Sequence, residues 1–324
     1  MSNLSHIIQP VEQEMKAFVE LYKNSMKGHS ADFQSIIDYI SKADGKRIRP
    51  LLLLLTAKIC GDINHNTLNY ALVLELLHNA TLIHDDVVDE TKERRGRLSI
   101  NANYGNKTAV LVGDYILSIA IMKAIAVQNL QMLKIVSNLA TNLVEGELRQ
   151  LTISKGAIID ESRYFEVIKK KTAILFSSCT EMGALSVNAD EESIENLRLF
   201  GEYLGICFQI KDDLFDYFEQ GEIGKPTGND IREGKITLPL IYALTYSNEK
   251  ERESMLEIIK NSDFTEKNIA LLINFAKNNG GTGYAQEKMT EYKQKAIDLI
   301  DNFTTSEAKE SLLKLVDYII ERNK

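Results

Sequence analysis

Residues 67–90 read TLNYALVLELLHNATLIHDDVVDE. Apolar side chains recur through this stretch every three or four residues, the period of a buried helix. The run closes on three acids, Asp85, Asp86 and Asp89. A second long periodic run closes the same way on Asp212, Asp213 and Asp216, in QIKDDLFDY. Outward from these two, the same period predicts helices over roughly 11–27, 30–43, 50–60, 107–127, 131–152, 161–181 and 190–219, then 236–247, 249–260, 265–279, 281–302 and 306–322. No region alternates with the period of a strand. Only four prolines occur among 324 residues, so long stretches are free of helix breakers. The expected fold class is all-α.

The chain carries 38 Lys+Arg against 46 Asp+Glu, a net charge of −8. An acidic whole lacks the basic face that a phosphate backbone requires, which excludes nucleic acid as a partner. Hydrophobic residues at 44% and charged ones at 26% describe a soluble globular chain, not a disordered one. Cys60, Cys179 and Cys207 are odd in number, far apart and set in apolar surroundings. That is the pattern of reduced thiols in a cytoplasmic protein, and the N-terminal segment has no secretory signal pattern. The most apolar stretch, 109–127, is interrupted by Asp114 and Lys123. It reads as a helix buried in protein on nearly all faces, in the core or at a subunit interface, and not as a transmembrane segment.

The two Asp-Asp-x-x-Asp clusters decide the chemistry. With 18 aspartates in the chain, two such motifs arise by accident in roughly one chain in a thousand. Asp85 and Asp89 share a helical face, as do Asp212 and Asp216, and like charges at that spacing repel. Both clusters also sit late in their helices, where the macrodipole favours cations. Hard divalent cations resolve the conflict, because Mg²⁺ takes carboxylate oxygens together with water and substrate phosphate. A di-iron site is disfavoured, since Glu75 and His78 supply only one of its two Glu-x-x-His units.

An acidic protein that binds phosphate must concentrate its cations locally. Gly45-Lys46-Arg47-Ile48-Arg49-Pro50 opens one helix, Arg94-Arg95-Gly96 follows the first cluster, and Lys171-Thr172 lies in another helix. After the second cluster comes GEIGKPTGNDIREGK, 221–235, with four glycines, a proline, Lys225 and Lys235. It is too polar for a core and longer than an ordinary helix connection, as binding loops and lids are. Carboxylate clusters, clustered cations and a glycine-rich loop together describe a diphosphate site.

In these motifs the sequence resembles the trans-isoprenyl (polyprenyl) diphosphate synthase family. DDVVD and DDLFD match its two aspartate-rich motifs, and GKRIRP, RRG, Lys171-Thr172, Gln209 and GKPTGNDIREGKITLPL match in the family's order. One departure is Arg97-Leu98, where the family commonly has a proline two residues after RRG. The resemblance implies a single domain over 1–324, a large helical bundle of isoprenoid synthase type around a central active-site cavity, and a homodimer. It implies that Asp85, Asp89 and Asp212 hold two to three Mg²⁺ ions, supported by Asp86, Asp213 and Asp216. Arg94, Lys171, Lys225 and Lys235 would surround the diphosphate of an allylic substrate, farnesyl or geranylgeranyl diphosphate. Lys46, Arg49, His78 and Arg95 would bind isopentenyl diphosphate. Thr172 and Gln209 are oriented dipoles suited to an allylic cation, and 221–235 is the expected lid.

Product length is read from the helix face below Asp85. Ala80 and Thr81 lie five and four residues before it, about 6 to 7.5 Å down the axis. Both are small where short-chain members commonly carry an aromatic stop, so a growing chain is expected to pass toward Leu77. The expected product is a long all-trans polyprenyl diphosphate near C40, of the octaprenyl type, for a quinone side chain. Short-chain synthesis is the alternative. A class I terpene cyclase fits less well, because its second metal motif usually mixes Asn, Ser or Thr and Glu. A non-catalytic prenyl-binding subunit could lose aspartates that this chain keeps.

Overall fold

The computed structural model describes residues 3–27, 31–41, 45–94, 96–153, 160–218 and 227–321. In chain order its first helices are α1 (Asn3–Ile8), α2 (Glu12–Ser25), α3 (Ala31–Ser41), α4 (Ile48–Cys60) and α5 (His65–Val88). A two-strand hairpin, β1 (Glu93–Arg94) and β2 (Arg97–Leu98), precedes α6 (Ile100–Tyr104), α7 (Asn106–Ala126), α8 (Leu130–Ile153) and α9 (Glu161–Ile168). A π-helical turn, Lys169–Ala173, carries α9 into α10 (Ile174–Ser186). Then follow α11 (Glu191–Phe215), α12 (Asn229–Arg232), α13 (Leu238–Tyr246), α14 (Glu249–Lys260), α15 (Glu266–Asn278), α16 (Gly281–Ile300) and α17 (Glu307–Glu321). The all-α expectation holds, and the predicted long helices recur within a few residues of their expected ends.

The chain divides into two compact units. The first comprises Met1–Ala140, Ser178–Arg198 and Phe303–Tyr318. Its centre is α5, which packs on α2, α4, α6 and α7. Leu51 to Leu55 of α4 are all fully buried, as is Leu72 of α5. Each such leucine contributes about 2 kcal/mol relative to exposure. The start of α5 is fixed by a reciprocal cap: Asn64 Oδ1 accepts from the Asn66 and Thr67 N–H groups, and Thr67 Oγ1 accepts from Asn64 N. At Gly113 of α7 the His84 ring of α5 occupies the space a side chain would take: a Cβ there would lie 2.2 Å from His84 Nε2.

The second unit comprises Thr141–Ser177, Leu199–Asn302 and Ile319–Lys324. Here α13 packs on α9, α14, α15 and α16. Its core gathers Tyr217, Ile231, Leu240, Leu244, Leu272 and Phe275. Tyr217 hydrogen-bonds Thr237 Oγ1 at 3.0 Å, which ties the end of α11 to the start of α13.

Of the two settings expected for α7, the core one is corrected: within the chain Val110, Leu111, Ile121, Met122 and Ile125 are 41–68% exposed. Leu111, Met122 and Ile125 stand at helical spacing and form one stripe, while Val112, Ile116, Ile119 and Ala120 face inward. By length and composition α7 is the one described helix that meets the requirement for a membrane span, with 39% of its most apolar window buried.

Candidate active site

The first aspartate motif ends α5. Asp89 is the residue after the last turn, and its N–H donates to Asp85 O at 2.8 Å. Thr91 N and Asn101 Nδ2 both donate to Asp86 O, so the terminal carbonyls find donors. The Asp86 carboxylate is 3% exposed and turned away from solvent. Its Oδ1 accepts from Arg94 Nε at 2.8 Å and Arg94 Nη2 at 2.6 Å. Arg94 therefore has a structural partner within the chain, and Asp86 sets its position.

Beside this pair lies a cavity of about 90 Å³ on the face of α5 that carries Glu75, Asn79, Leu82 and Asp86. Arg47, Arg94 and Arg97 also line it. Arg47 caps α4 with φ 47°, a left-handed conformation that a side chain rarely adopts. Arg97 lies 4.2 Å over the Tyr39 ring, and Tyr39 Oη donates to Leu98 O at 2.8 Å. The Arg97-Leu98 departure thus sits in a regular hairpin. Ser99 N donates to Lys92 O, which makes 93/98 the pair without ladder bonds. Gly96 supplies the positive φ of its turn, +72°.

The second motif ends α11 and is wired differently. Asp213 is 3% exposed, and its two oxygens accept from Tyr164 Oη at 2.6 Å and Gln209 Nε2 at 2.8 Å. Gln209 Oε1 in turn accepts from Thr172 Oγ1 at 2.7 Å. Asp216 accepts from Asn229 N at 3.0 Å and Asp230 N at 2.7 Å, and its carbonyl accepts from Gly228 N. It therefore anchors the C-terminal part of the glycine-rich segment. Burial, with Asp230 next in importance, pushes the Asp213 carboxyl well above the ordinary carboxylate range. Burial and then Asp216 do the same to Asp230, and burial raises Asp216.

The predicted basic residues are placed as follows. Lys171 and Thr172 lie in the π-helical turn, a feature common at functional sites. Lys171 Nζ meets Glu147 of α8 at 2.7 Å, and Lys235 meets Glu233 at 2.6 Å. Lys46 lies 5.3 Å over the Tyr318 ring, and Arg49 is in the first turn of α4. His78 is buried on α5, with Leu77 and Ala80 at 2% and 1% exposure and Thr81 half-buried. Arg95, Lys225 and the start of the expected lid lie outside the described residues.

The donor set suits Mg²⁺. In the second unit Asp212 and Asp230 each bear electrostatically on Asp213, and Asp216, Glu233 and Asp212 raise Asp230 while Lys235 lowers it. Hard anionic oxygens in excess of cations are the chemistry a divalent ion matches, and a bound cation moves carboxyl pKa values in the opposite sense. Among the described residues no three acidic, His or Cys side chains already converge as a ligand cluster. Sequence reasoning missed Tyr164, Glu147 and Asp230. Asp230 had a signal, its place in the glycine-rich segment, whereas Tyr164 and Glu147 enter through tertiary packing.

Comparison with known proteins gives the family. Residues 30–275 match the polyprenyl synthetase family profile. The octaprenyl diphosphate synthase of Haemophilus influenzae is 36% identical over 286 residues, 88% of this chain and 87% of that protein. A crystal structure of polyprenyl synthase from Caulobacter crescentus, complexed with calcium and isoprenyl diphosphate, aligns with a TM-score of 0.91 and 31% identity over 99% of this chain and 98% of that one. A geranylgeranyl pyrophosphate synthase from Bacteroides thetaiotaomicron aligns with a TM-score of 0.86 and 41% identity over 99% of this chain and all of that one. Paired aspartate motifs on all-α scaffolding, clustered arginines and this extent of likeness have one reading: the chain belongs to the polyprenyl synthetase family and is a prenyltransferase.

Proposed function

We propose that this chain is a long-chain all-trans polyprenyl diphosphate synthase that joins isopentenyl diphosphate head to tail (1′-4) onto farnesyl or geranylgeranyl diphosphate, with a product near C40. The observation that carries the length is Ala80. It stands five residues before Asp85 and leaves no aromatic stop at that depth, with Leu77 the next layer down the helix. The likeness to an octaprenyl diphosphate synthase supports the same length. The 41% identity to a geranylgeranyl pyrophosphate synthase favours a second, shorter reading.

Asp85, Asp89 and Asp212 hold two to three Mg²⁺ ions in this reading. Bound Mg²⁺ neutralises the allylic diphosphate and makes it a better leaving group. Arg94, Lys171, Lys225 and Lys235 bind that diphosphate, while Lys46, Arg49, His78 and Arg95 bind isopentenyl diphosphate. Thr172 and Gln209 place dipoles where allylic positive charge develops. The 221–235 segment excludes water that would capture the cation.

The exposed apolar stripe of α7 is proposed to be covered by a second copy of the chain, giving a homodimer. The three free thiols suit a reducing, cytoplasmic setting. Burial pushes each of them up to about 12, which keeps them protonated and unreactive.

Mass spectrometry of products from isopentenyl diphosphate, farnesyl diphosphate and Mg²⁺ tests the reading. Elongation to near C40 is expected, and Ala80→Phe is expected to shift the products to shorter chains. Products ending at C20 in the wild type would favour the second reading, and an unchanged distribution in Ala80→Phe would contradict the chain path.

A further inference from the structure

We infer that Tyr164 is a positioning residue for the condensation: through Asp213 it sets which way the Gln209 amide faces, and so how the Thr172 hydroxyl is oriented. This rests on the reading of Thr172 and Gln209 as the dipoles that face the allylic cation.

The hydrogen-bond chain has a direction. Tyr164 Oη donates to Asp213 Oδ2 at 2.6 Å, and Gln209 Nε2 donates to Asp213 Oδ1 at 2.8 Å. With Asp213 Oδ1 as its acceptor, Gln209 turns its amide nitrogen toward Asp213; the flipped amide would set oxygen against oxygen. Its Oε1 then faces Thr172 and takes the hydroxyl proton at 2.7 Å. With that proton committed, the remaining lone pairs of Thr172 Oγ1 are the negative end of a fixed dipole. A fixed dipole stabilises developing positive charge without reorganising.

Tyr164 controls the first link. It is 9% exposed at the start of α9, and its hydroxyl is buried. Without its donor, Asp213 Oδ2 loses its buried partner and the carboxylate can rotate away from Gln209. The amide then loses the contact that fixes its sense, and Thr172 loses its fixed acceptor. Phenylalanine at 164 keeps the ring and its edge contact with Phe165 at 5.3 Å while removing only this donor.

Steady-state kinetics with isopentenyl diphosphate, farnesyl diphosphate and Mg²⁺ test this on Tyr164→Phe, Gln209→Ala and the double variant. Tyr164→Phe is expected to lower kcat about tenfold while both KM values stay within about twofold. The double variant is expected to be no slower than Gln209→Ala, because the two residues act through one chain. Multiplying losses would overturn the inference, as would a Tyr164→Phe protein that circular dichroism shows to be unfolded, since a purely structural role would then suffice. Slow Gln209→Ala beside wild-type kcat in Tyr164→Phe would overturn this inference alone. Wild-type kcat in Gln209→Ala would remove the reading of Gln209 and the inference with it.

Discussion

The two aspartate motifs share a sequence pattern and a place at a helix end, yet their middle residues live in opposite surroundings. Asp86 is buried against the Arg94 guanidinium, a cation supplied by the chain itself. Asp213 is buried equally deeply against neutral donors, Tyr164 and Gln209, with Asp230 close enough to raise its pKa. The third residues differ as well. Asp89 follows the last turn of α5 and is exposed, whereas Asp216 is tied to the N–H groups of residues 229 and 230. The middle residue of the first motif is thus met by an internal cation, and that of the second by neutral donors beside another acid. An Asp-Asp-x-x-Asp pattern specifies where carboxylates stand, while neighbouring elements decide what neutralises them.

The largest effect expected from breaking this comparison falls on the first motif. Arg94→Ala leaves the buried Asp86 without its cation, and the unfolding free energy in urea is expected to fall by about 2–3 kcal/mol. A fall below about 0.5 kcal/mol would place the pair among inconsequential surface contacts. The second motif should respond with the opposite sign when a charge is removed. Asp230→Asn relieves repulsion on Asp213 and Asp216, so the metal-free protein is expected to gain about 1 kcal/mol, seen as a rise of a few degrees in Tm. A lower Tm would mean that Asp230 serves chiefly as the partner of Lys235. The smallest effect is expected at the hairpin beside the first motif. Leu98 has no ladder bond at its N–H, so Leu98→Pro should change stability by less than about 0.5 kcal/mol. A larger loss would show that the family's usual proline is incompatible with this hairpin.

Much of the fold was legible because long helices carry a repeated apolar period. The apolar run of α5 and its aspartate ending both read directly from residues 67–90. The hairpin was not legible, since two-residue strands are too short to alternate. Nor was the π-helical turn at 169–173, which no residue type marks and which divides a helix that otherwise reads as continuous. Helix α7 reads as buried because Leu111 and Met122 are apolar, and composition cannot separate a core face from one awaiting a partner. The site divides along similar lines. The six aspartates of the two motifs announce themselves by spacing, but Tyr164 reaches Asp213 from 49 residues away and Glu147 reaches Lys171 from another helix. Such partners are chosen by packing, which leaves no local trace.

Both carboxylate clusters are proposed to serve bound Mg²⁺ during allylic diphosphate recognition. Isothermal titration of Mg²⁺ into the protein, in the presence of a non-ionising farnesyl thiodiphosphate, tests it most directly. The wild type should take up two to three ions per chain, with fewer or weaker ions in Asp85→Ala and in Asp212→Ala. No Mg²⁺ uptake by the wild type, or an unchanged titration in both variants, would contradict the account.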